Sequence, residues 1–210
     1  MAPGHLIFLL SPANSAGKRA GYLLRNEGPS ALAERLRSPE GASIGEVYTF
    51  MSGLYFRGKL AYAAAFARPP EGRHGSQVIV PGLGLCAPSD PVNLEVLHAI
   101  GRVPVDPDDR RFTTPLQRDA TRLAEALGPY DLVVLLGSIA TSKYLEPLTD
   151  ILGSRLHFPQ EFVGRGDMSR GSMMLKCAAE GRELNYVAAL GASAESRSTA
   201  TQRRRMASER

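Results

Sequence analysis

The stretch LIFLLSPANSAGKRAGYLL, residues 6–24, changes abruptly from apolar side chains to small, polar and basic ones. A short continuous apolar run that ends in Ser and Pro is typical of a strand covered on both faces. The residues that follow predict a loop that leads from this strand into a helix. The loop is either a ligand-binding loop or a plain first turn, and the sequence leaves both possibilities open.

Further apolar runs follow along the chain and also end in small residues or a turn. The two clearest are QVIVPG at 77–82 and YDLVVLLG at 130–137. Weaker strand candidates are RLHF at 155–158 and LNYVAAL at 184–190, whereas VYTFM at 47–51 fits either a strand or the start of a helix.

Helical patterns separate these strands. In the clearest pattern, TTPLQRDATRLAEALGP, Thr114 caps the helix, Pro115 occupies its first turn, and Gln117 completes a capping box. We therefore expect this helix to begin directly after Thr114.

Three other helices are predicted, at 54–67, at 139–153 with a kink or restart at Pro147, and at 167–181. Strands that alternate with helices predict an α/β fold of three layers, in which a largely parallel sheet carries helices on both faces. We expect a single domain over 1–191. In such sheets ligands bind beyond the carboxyl ends of the strands.

The net charge of +4 does not by itself indicate a nucleic-acid interface. Five of the 25 basic residues and two of the 21 acidic residues lie within 192–210, so the rest of the chain is nearly neutral. This terminus is polar and has no apolar period, and we expect it to be a disordered basic tail.

The composition argues against several other classes of protein. Cys86 and Cys177 lack CxxC spacing, and the histidines lack the spacing of helical metal ligands, so we expect no metal site and no bound cofactor. No apolar stretch approaches the roughly 20 residues that a membrane helix needs. With no signal-peptide pattern either, we expect a cytoplasmic protein without a membrane partner.

A first candidate site is the loop after the first strand, with Ser11, Asn14, Lys18 and Arg19. Small residues there let backbone N–H groups approach a ligand, and the two cations suit a phosphate or a carboxylate. The spacing of a Walker loop is absent. The alternative is a strand-to-helix turn in which Asn14 or Ser15 caps the helix.

A second candidate site follows the strand at 130–137 and contains Ser138, Thr141 and Lys143. A buried strand opens there into the start of a helix, whose unpaired N–H groups attract anions. The alternative is that Ser138 only caps the helix.

A third candidate site is the glycine-rich segment with Arg165, Asp167, Ser169 and Arg170. Two arginines within reach of one anion would form a forked clamp. The alternative is that Asp167 caps the following helix and pairs with an arginine.

The segment 54–67 carries Tyr55, Phe56, Lys59 and Tyr62, together with Arg57. Aromatic and basic side chains in this combination suit stacking on nucleobases. At helical spacing the alternative is a set of core aromatics with solvated charges.

The order of several segments resembles that of YaaA-type peroxide-stress proteins. The resemblance rests on SPANSAGK, on VYTFMSGLYFRGKLAYAAAF, on VIVPGLGLCAPSD, and on YDLVVLLGSIATSKYLEPL with a glycine-rich end, and it covers most of 6–185. It implies DNA or nucleotide binding with a link to oxidative damage. The related lyase domain of archaeosine synthase implies work on a modified base by a lysine of the first loop. At the usual position of that lysine this chain has Asn14, and the nearest lysine is Lys18.

Two main hypotheses result from the three loops. In the first, the protein binds a nucleotide or a nucleic acid, and cationic side chains meet the phosphates; these are Lys18, Arg19, Lys143, Arg165 and Arg170.

In the second hypothesis the protein is an enzyme acting on a nucleobase or nucleoside, an N-glycosidic hydrolase or lyase. Asp167 is then a general acid or base, or stabilises a developing cation, and Lys18 is the nucleophile or an electrostatic anchor. A third possibility is a protein-interaction module that uses the tail at 192–210.

Overall fold

A computed structural model of the chain describes residues 4–15, 17–25, 31–139 and 142–190. The expected tail at 192–210 and the candidate ligand residue Thr141 lie outside these ranges. None of the described helices is long and apolar enough to cross a membrane.

The strands predicted from apolar runs are present, with shorter strands between and beside them. Parallel strands β3, β1, β6 and β7 lie side by side in a six-stranded sheet of order β4-β3-β1-β6-β7-β8, and the two edge strands are antiparallel. Strands β2 and β5 form a separate small sheet. The strands are β1 (Leu6–Leu10), β2 (Ala42–Ser43), β3 (Ser76–Val80), β4 (Gly84–Cys86), β5 (Pro91–Val92), β6 (Leu132–Leu136), β7 (Leu156–Pro159) and β8 (Tyr186–Ala188).

Helices cover both faces of the sheet. Short 3-10 helices at Gly153–Arg155 and Gln160–Phe162 flank β7. The α-helices are α1 (Lys18–Leu24), α2 (Ala31–Arg37), α3 (Ile44–Ser52), α4 (Leu54–Phe66), α5 (Leu94–Gly101), α6 (Arg110–Glu125), α7 (Ser142–Leu152) and α8 (Asp167–Glu180).

The side chains of β1 alternate between two apolar clusters. Phe8 and Leu10 belong to the cluster formed with α1 to α5 and α8, whereas Ile7 and Leu9 belong to the cluster formed with α6 and α7. A strand covered on both faces is apolar at every position, which is why the opening run has no polar residue before Ser11. The predicted three-layer α/β fold with a largely parallel sheet is therefore confirmed.

Helix α6 begins earlier than the sequence predicted. Asp109, not Thr114, caps it, and the Asp109 side chain accepts a hydrogen bond of 2.8 Å from the backbone N–H of Arg111. The expected capping box is therefore wrong. Phe112 is fully buried and extends the apolar stripe by one turn toward the amino terminus, which favours the earlier start.

Two other segments resolve differently from the simplest expectation. Helix α7 runs through Pro147 as one helix and does not restart there. The ambiguous segment 47–51 lies inside α3, whose cap Ser43 accepts from the backbone N–H of Glu46 at 3.3 Å.

Helices α4 and α8 cross with their backbones almost in contact. A Cβ atom at Gly58 would lie 2.7 Å from the carbonyl oxygen of Gly171, and one at Gly171 would lie 2.8 Å from the carbonyl oxygen of Leu54. Only glycine fits at both positions. This crossing brings the middle of α4 next to the start of α8, beside the carboxyl end of β1.

Candidate functional site

A cavity of about 420 Å³ lies beyond the carboxyl ends of β1 and β6, and we call it the central cavity. The loop after β1, the loop after β6 and the start of α8 all contribute to its wall. Its polar side chains are Ser11, Asn14, Ser52, Tyr55, Ser138, Lys143, Tyr144 and Asp167.

The three loops singled out in the sequence therefore meet at one cavity. Among the predicted site residues, five line it, namely Ser11, Asn14, Ser138, Lys143 and Asp167. Parallel strands end at the same edge of their sheet, which explains how residues more than a hundred positions apart become neighbours.

The predicted catalytic lysine, Lys18, does not line the central cavity. It is the first residue of α1, and its side chain is exposed. Arg19 is also exposed, and it lines a different cavity. The buried cation behind the first loop is Lys59, which belongs to helix α4.

The expected clamp of Arg165 and Arg170 is not formed. Arg170 is buried, and its guanidinium donates two hydrogen bonds to the carbonyl oxygen of Phe162, at 3.1 and 2.9 Å. Arg165 is exposed and donates to Ser169 Oγ at 3.3 Å, so Ser169 also lies away from the cavity.

For the third loop, the alternative was that Asp167 pairs with an arginine and caps the following helix. The ion pair is present, but the cap is not. Asp167 does pair with Arg170, at 3.6 Å. It does not cap α8, because the capping position is Gly166 and Asp167 is the first helical residue. This position leaves the carboxylate at the rim of the central cavity.

Lys59 lies directly behind the cavity wall and is 1% exposed. Its Nζ atom is 2.9 Å from the backbone carbonyl oxygen of Ser11, to which it donates, and 2.8 Å from Ser11 Oγ. The same Nζ lies 3.9 Å from the ring centroid of Tyr55. A lysine in contact with a cavity-lining hydroxyl is thus enclosed by protein.

Burial lowers the pKa of Lys59 to about 7, because the ammonium loses its hydration. Asp167 acts in the opposite direction, and the positive charges of Arg170 and Lys143 lower the pKa further. A large fraction of the lysine is therefore a neutral amine near neutral pH. A neutral amine can donate to the Ser11 carbonyl and accept the Ser11 hydroxyl proton at the same time.

Packing at three glycines holds Lys59 and Ser11 in place. The Gly58 and Gly171 crossing sets the depth of Lys59 below the cavity. At the end of β6, a Cβ atom on Gly137 would lie 2.9 Å from Cβ of Ser11 and would push that residue away. The sheet register thus fixes Ser11, and the helix crossing fixes its lysine.

Two tyrosines complete the cavity, and both are buried. Burial raises the pKa of Tyr55 to about 12 and also raises that of Tyr144, so both phenols stay protonated. The Tyr55 hydroxyl is enclosed, and the neighbouring guanidinium of Arg170 partly offsets the effect of burial on its pKa.

The spacing of apolar residues along α4 predicts that Lys59 is buried, although a charged residue is usually expected at the surface. Tyr55, Tyr62 and Phe66 are buried at helical spacing on α4, and Lys59 lies on the same stripe, four residues after Tyr55. Phe56 and Tyr62 are core aromatics, as one reading proposed, but the expectation that the lysine is solvated is wrong. A lysine on the apolar stripe of a helix indicates a buried amine, and a buried amine beside a cleft is a candidate functional group.

A second cavity, of about 460 Å³, lies between the turn after β3 and helix α6. Its wall is mostly apolar, and its two arginines, Arg111 and Arg118, already pair with Asp109 and Asp119. No group of three metal-ligating side chains occurs in the ranges that the structure describes. Of these two cavities, the central cavity is the one that combines hydroxyls and phenols with a lysine and a carboxylate.

No protein-family model, curated protein or solved structure matches this chain.

Proposed function

We propose that the protein is an enzyme that hydrolyses the N-glycosidic bond of a nucleoside or nucleotide in the central cavity. One observation carries the proposal: the buried Lys59, with a pKa lowered to about 7, in contact with the cavity-lining hydroxyl of Ser11. A perturbed titratable group at a cavity is a candidate acid or base.

The size and chemistry of the cavity favour a nucleoside as the occupant. About 420 Å³ is within the range of roughly 300–1,000 Å³ for small-molecule sites. The phenol rings of Tyr55 and Tyr144 offer flat apolar surface for a base or a sugar, and Asn14 and Ser138 offer polar side chains for its edges.

In the proposed reaction, Lys59 accepts a proton through Ser11 from a water molecule in the cavity. The water oxygen bonds to the anomeric carbon, and the C–N bond breaks with its electron pair passing to the departing nitrogen. That nitrogen takes one proton from solvent water, and Lys59 returns the proton that it accepted to solvent, so that protons balance over one turnover.

Asp167 is suited to the charge that develops on the sugar. Cleavage of a glycosidic bond passes through a transition state with positive charge on the ring, which a nearby carboxylate stabilises. The carboxylate of Asp167 lines the cavity and is held by the ion pair with Arg170.

The direct test is release of free base from nucleosides and their 5′-monophosphates, measured by liquid chromatography. We expect kcat/KM to rise with pH through about 7, as Lys59 loses its proton. Lys59→Met removes this dependence together with the activity, whereas Lys18→Met, on exposed α1, keeps both. Base release by Lys59→Met at the rate of the unaltered protein contradicts the proposal.

A second candidate is nucleotide or nucleic-acid binding without a reaction, as the sequence also suggested. The observation that favours it is Lys143 at the cavity wall, which can meet a phosphate. In that case, binding of nucleotides weakens steeply with salt while no base is released. Binding that does not change between low and moderate salt contradicts this candidate.

A further inference from the structure

A third cavity, of about 500 Å³, adjoins the central cavity, and we call it the arginine pocket. It lies between α1, the end of α3 and the start of α4. The residues that define it are Arg19, Tyr22, Phe50, Gly53, Leu54 and Arg57.

The arginine pocket contains two guanidinium groups, and none of its lining residues is acidic. Arg19 and Arg57 are both exposed. The Arg57 side chain makes no ion pair or hydrogen bond within the described ranges, although other surface arginines such as Arg111 and Arg118 are paired with a carboxylate. Two cations facing one concave surface repel each other and attract an anion.

The backbone around Gly53 is shaped to hold Arg19. A guanidinium nitrogen of Arg19 donates to the carbonyl oxygen of Phe50 at 3.4 Å. Gly53 has φ +57°, and a Cβ atom there would lie 2.8 Å from that same nitrogen. A side chain at position 53 would displace the arginine, so the glycine keeps space for it at the pocket wall.

The two cavities share a wall. Along the junction of α3 and α4, Ser52 and Tyr55 line the central cavity, whereas Gly53 and Leu54 line the arginine pocket. The segment after β1 is divided in the same way, with Asn14 of the loop at the central cavity and Arg19 of α1 at the pocket. The lining residues of the two cavities therefore follow one another along the chain, which places the arginine pocket next to the central cavity.

We propose that the arginine pocket is a phosphate subsite, in which Arg19 and Arg57 bind a phosphate ester of the substrate that occupies the central cavity. Guanidinium groups suit phosphate because their N–H groups match its oxygens in pairs. Tyr22, which is 39% exposed, offers a ring beside the subsite on which a neighbouring base can stack. The proposal rests on the proposed function for the identity of the substrate, but its binding test does not need turnover.

The phosphate belongs either to a free nucleotide or to a strand, and the experiment distinguishes the two. Dissociation constants are measured for the four common ribonucleosides, for their 5′-monophosphates and for a ten-residue single-stranded oligodeoxynucleotide of mixed sequence. The variants are Arg19→Ala, Arg57→Ala and the matched control Arg73→Ala, which removes an exposed arginine far along the chain in the loop before β3.

We expect Arg19→Ala and Arg57→Ala each to weaken phosphate-bearing ligands by about tenfold and to leave nucleosides unchanged. Arg73→Ala leaves all ligands unchanged. Each pocket variant also lowers the slope of log affinity against log salt by about one for the oligonucleotide. An effect on monophosphates assigns the subsite to free nucleotides, and an effect on the oligonucleotide alone assigns it to a strand.

The proposal is overturned if no phosphate-bearing ligand binds more tightly than its nucleoside. It is also overturned if the pocket variants weaken nucleosides as much as phosphates, because the arginines would then act only on the shape of the central cavity. Failure of the proposed function is separate: base release is absent while the difference between nucleotide and nucleoside binding persists.

Discussion

Two lysines in this chain have opposite surroundings. Lys18 begins α1 and is exposed, whereas Lys59 lies in the middle of α4 and is enclosed. Both lysines lie on helices that contribute side chains to the same apolar cluster. The difference shows that the reactivity of a lysine depends on the loss of its hydration, and burial lowers the pKa of Lys59 to about 7.

The largest expected effect comes from exchanging the buried lysine. Lys59→Met keeps most of the side-chain length but removes the amine that accepts the Ser11 proton, so we expect kcat/KM for base release to fall by about 10²–10⁴-fold. Circular dichroism and thermal unfolding check that the variant is folded. The comparison variant is Lys18→Met, for which we expect activity within about twofold of the unaltered protein, since surface substitutions have small effects.

If Lys18→Met is the variant that loses activity, the assignment of the reactive amine to Lys59 is wrong. In that case the first loop supplies the reactive amine, as the resemblance in the sequence implied, and Lys59 is a structural residue.

The next effect concerns the hydroxyl that connects Lys59 to the cavity. Ser11→Ala removes the group at 2.8 Å from Nζ, and we expect kcat/KM to fall by about 10²-fold, less than for Lys59→Met because a water molecule can replace a hydroxyl. Single-turnover assays with the folded variant measure this. If Ser138→Ala lowers kcat/KM as much as Ser11→Ala does, the contact of Ser11 with Lys59 is not the reason for the loss.

A substitution at the helix crossing tests how the fold holds Lys59. Gly171→Ala places a methyl group 2.8 Å from the Leu54 carbonyl, so we expect the free energy of unfolding to fall by about 1–3 kcal/mol. Urea unfolding measures the change. Gly101→Ala, whose new methyl group meets only the Ser15 carbonyl at 3.8 Å, is the control and should be neutral or slightly stabilising. Equal stability of Gly171→Ala and the unaltered protein would mean that the helices separate freely.

The smallest effect, when it is expressed per pH unit, is on the pH dependence of stability. The pKa of Lys59 is lowered by burial, so between about pH 7 and the ordinary pKa of a lysine the unfolded chain binds more protons than the folded protein. The free energy of unfolding should therefore rise with pH in this window, by up to about 1.4 kcal/mol per pH unit.

Urea unfolding between about pH 7.5 and 9.5 tests this slope against Lys59→Met, in which the contribution is absent. Lys18→Met should keep the slope of the unaltered protein. Identical slopes for the unaltered protein and Lys59→Met would show that the lysine stays charged in the folded protein.

Much of the scaffold could be predicted from the sequence. Continuous apolar runs identified β1, β3 and β6, because a strand covered on both faces needs an apolar side chain at every position. The start of α6 could not be predicted, since both Asp109 and Thr114 are good caps and the choice depends on where Phe112 finds a partner in the core.

The site was predictable in part. Three loops were identified as candidate sites, and five of their residues line the central cavity. Arg165 and Arg170 were expected to act together, but one guanidinium is used by the Phe162 carbonyl. Which hydrogen bonds a side chain makes depends on partners that are distant in sequence, and local spacing carries no information on them.

The sequence by itself determined the alternation of buried strands and helices, because hydrophobic periodicity is a local property that each segment carries alone. Only the tertiary structure decided which lysine is chemically distinct. The approach of α4 to α8 at Gly58 and Gly171 removes Lys59 from water and sets it against Ser11, while Lys18 stays solvated. Desolvation is a property of the packed molecule, since it depends on every element that surrounds the charge.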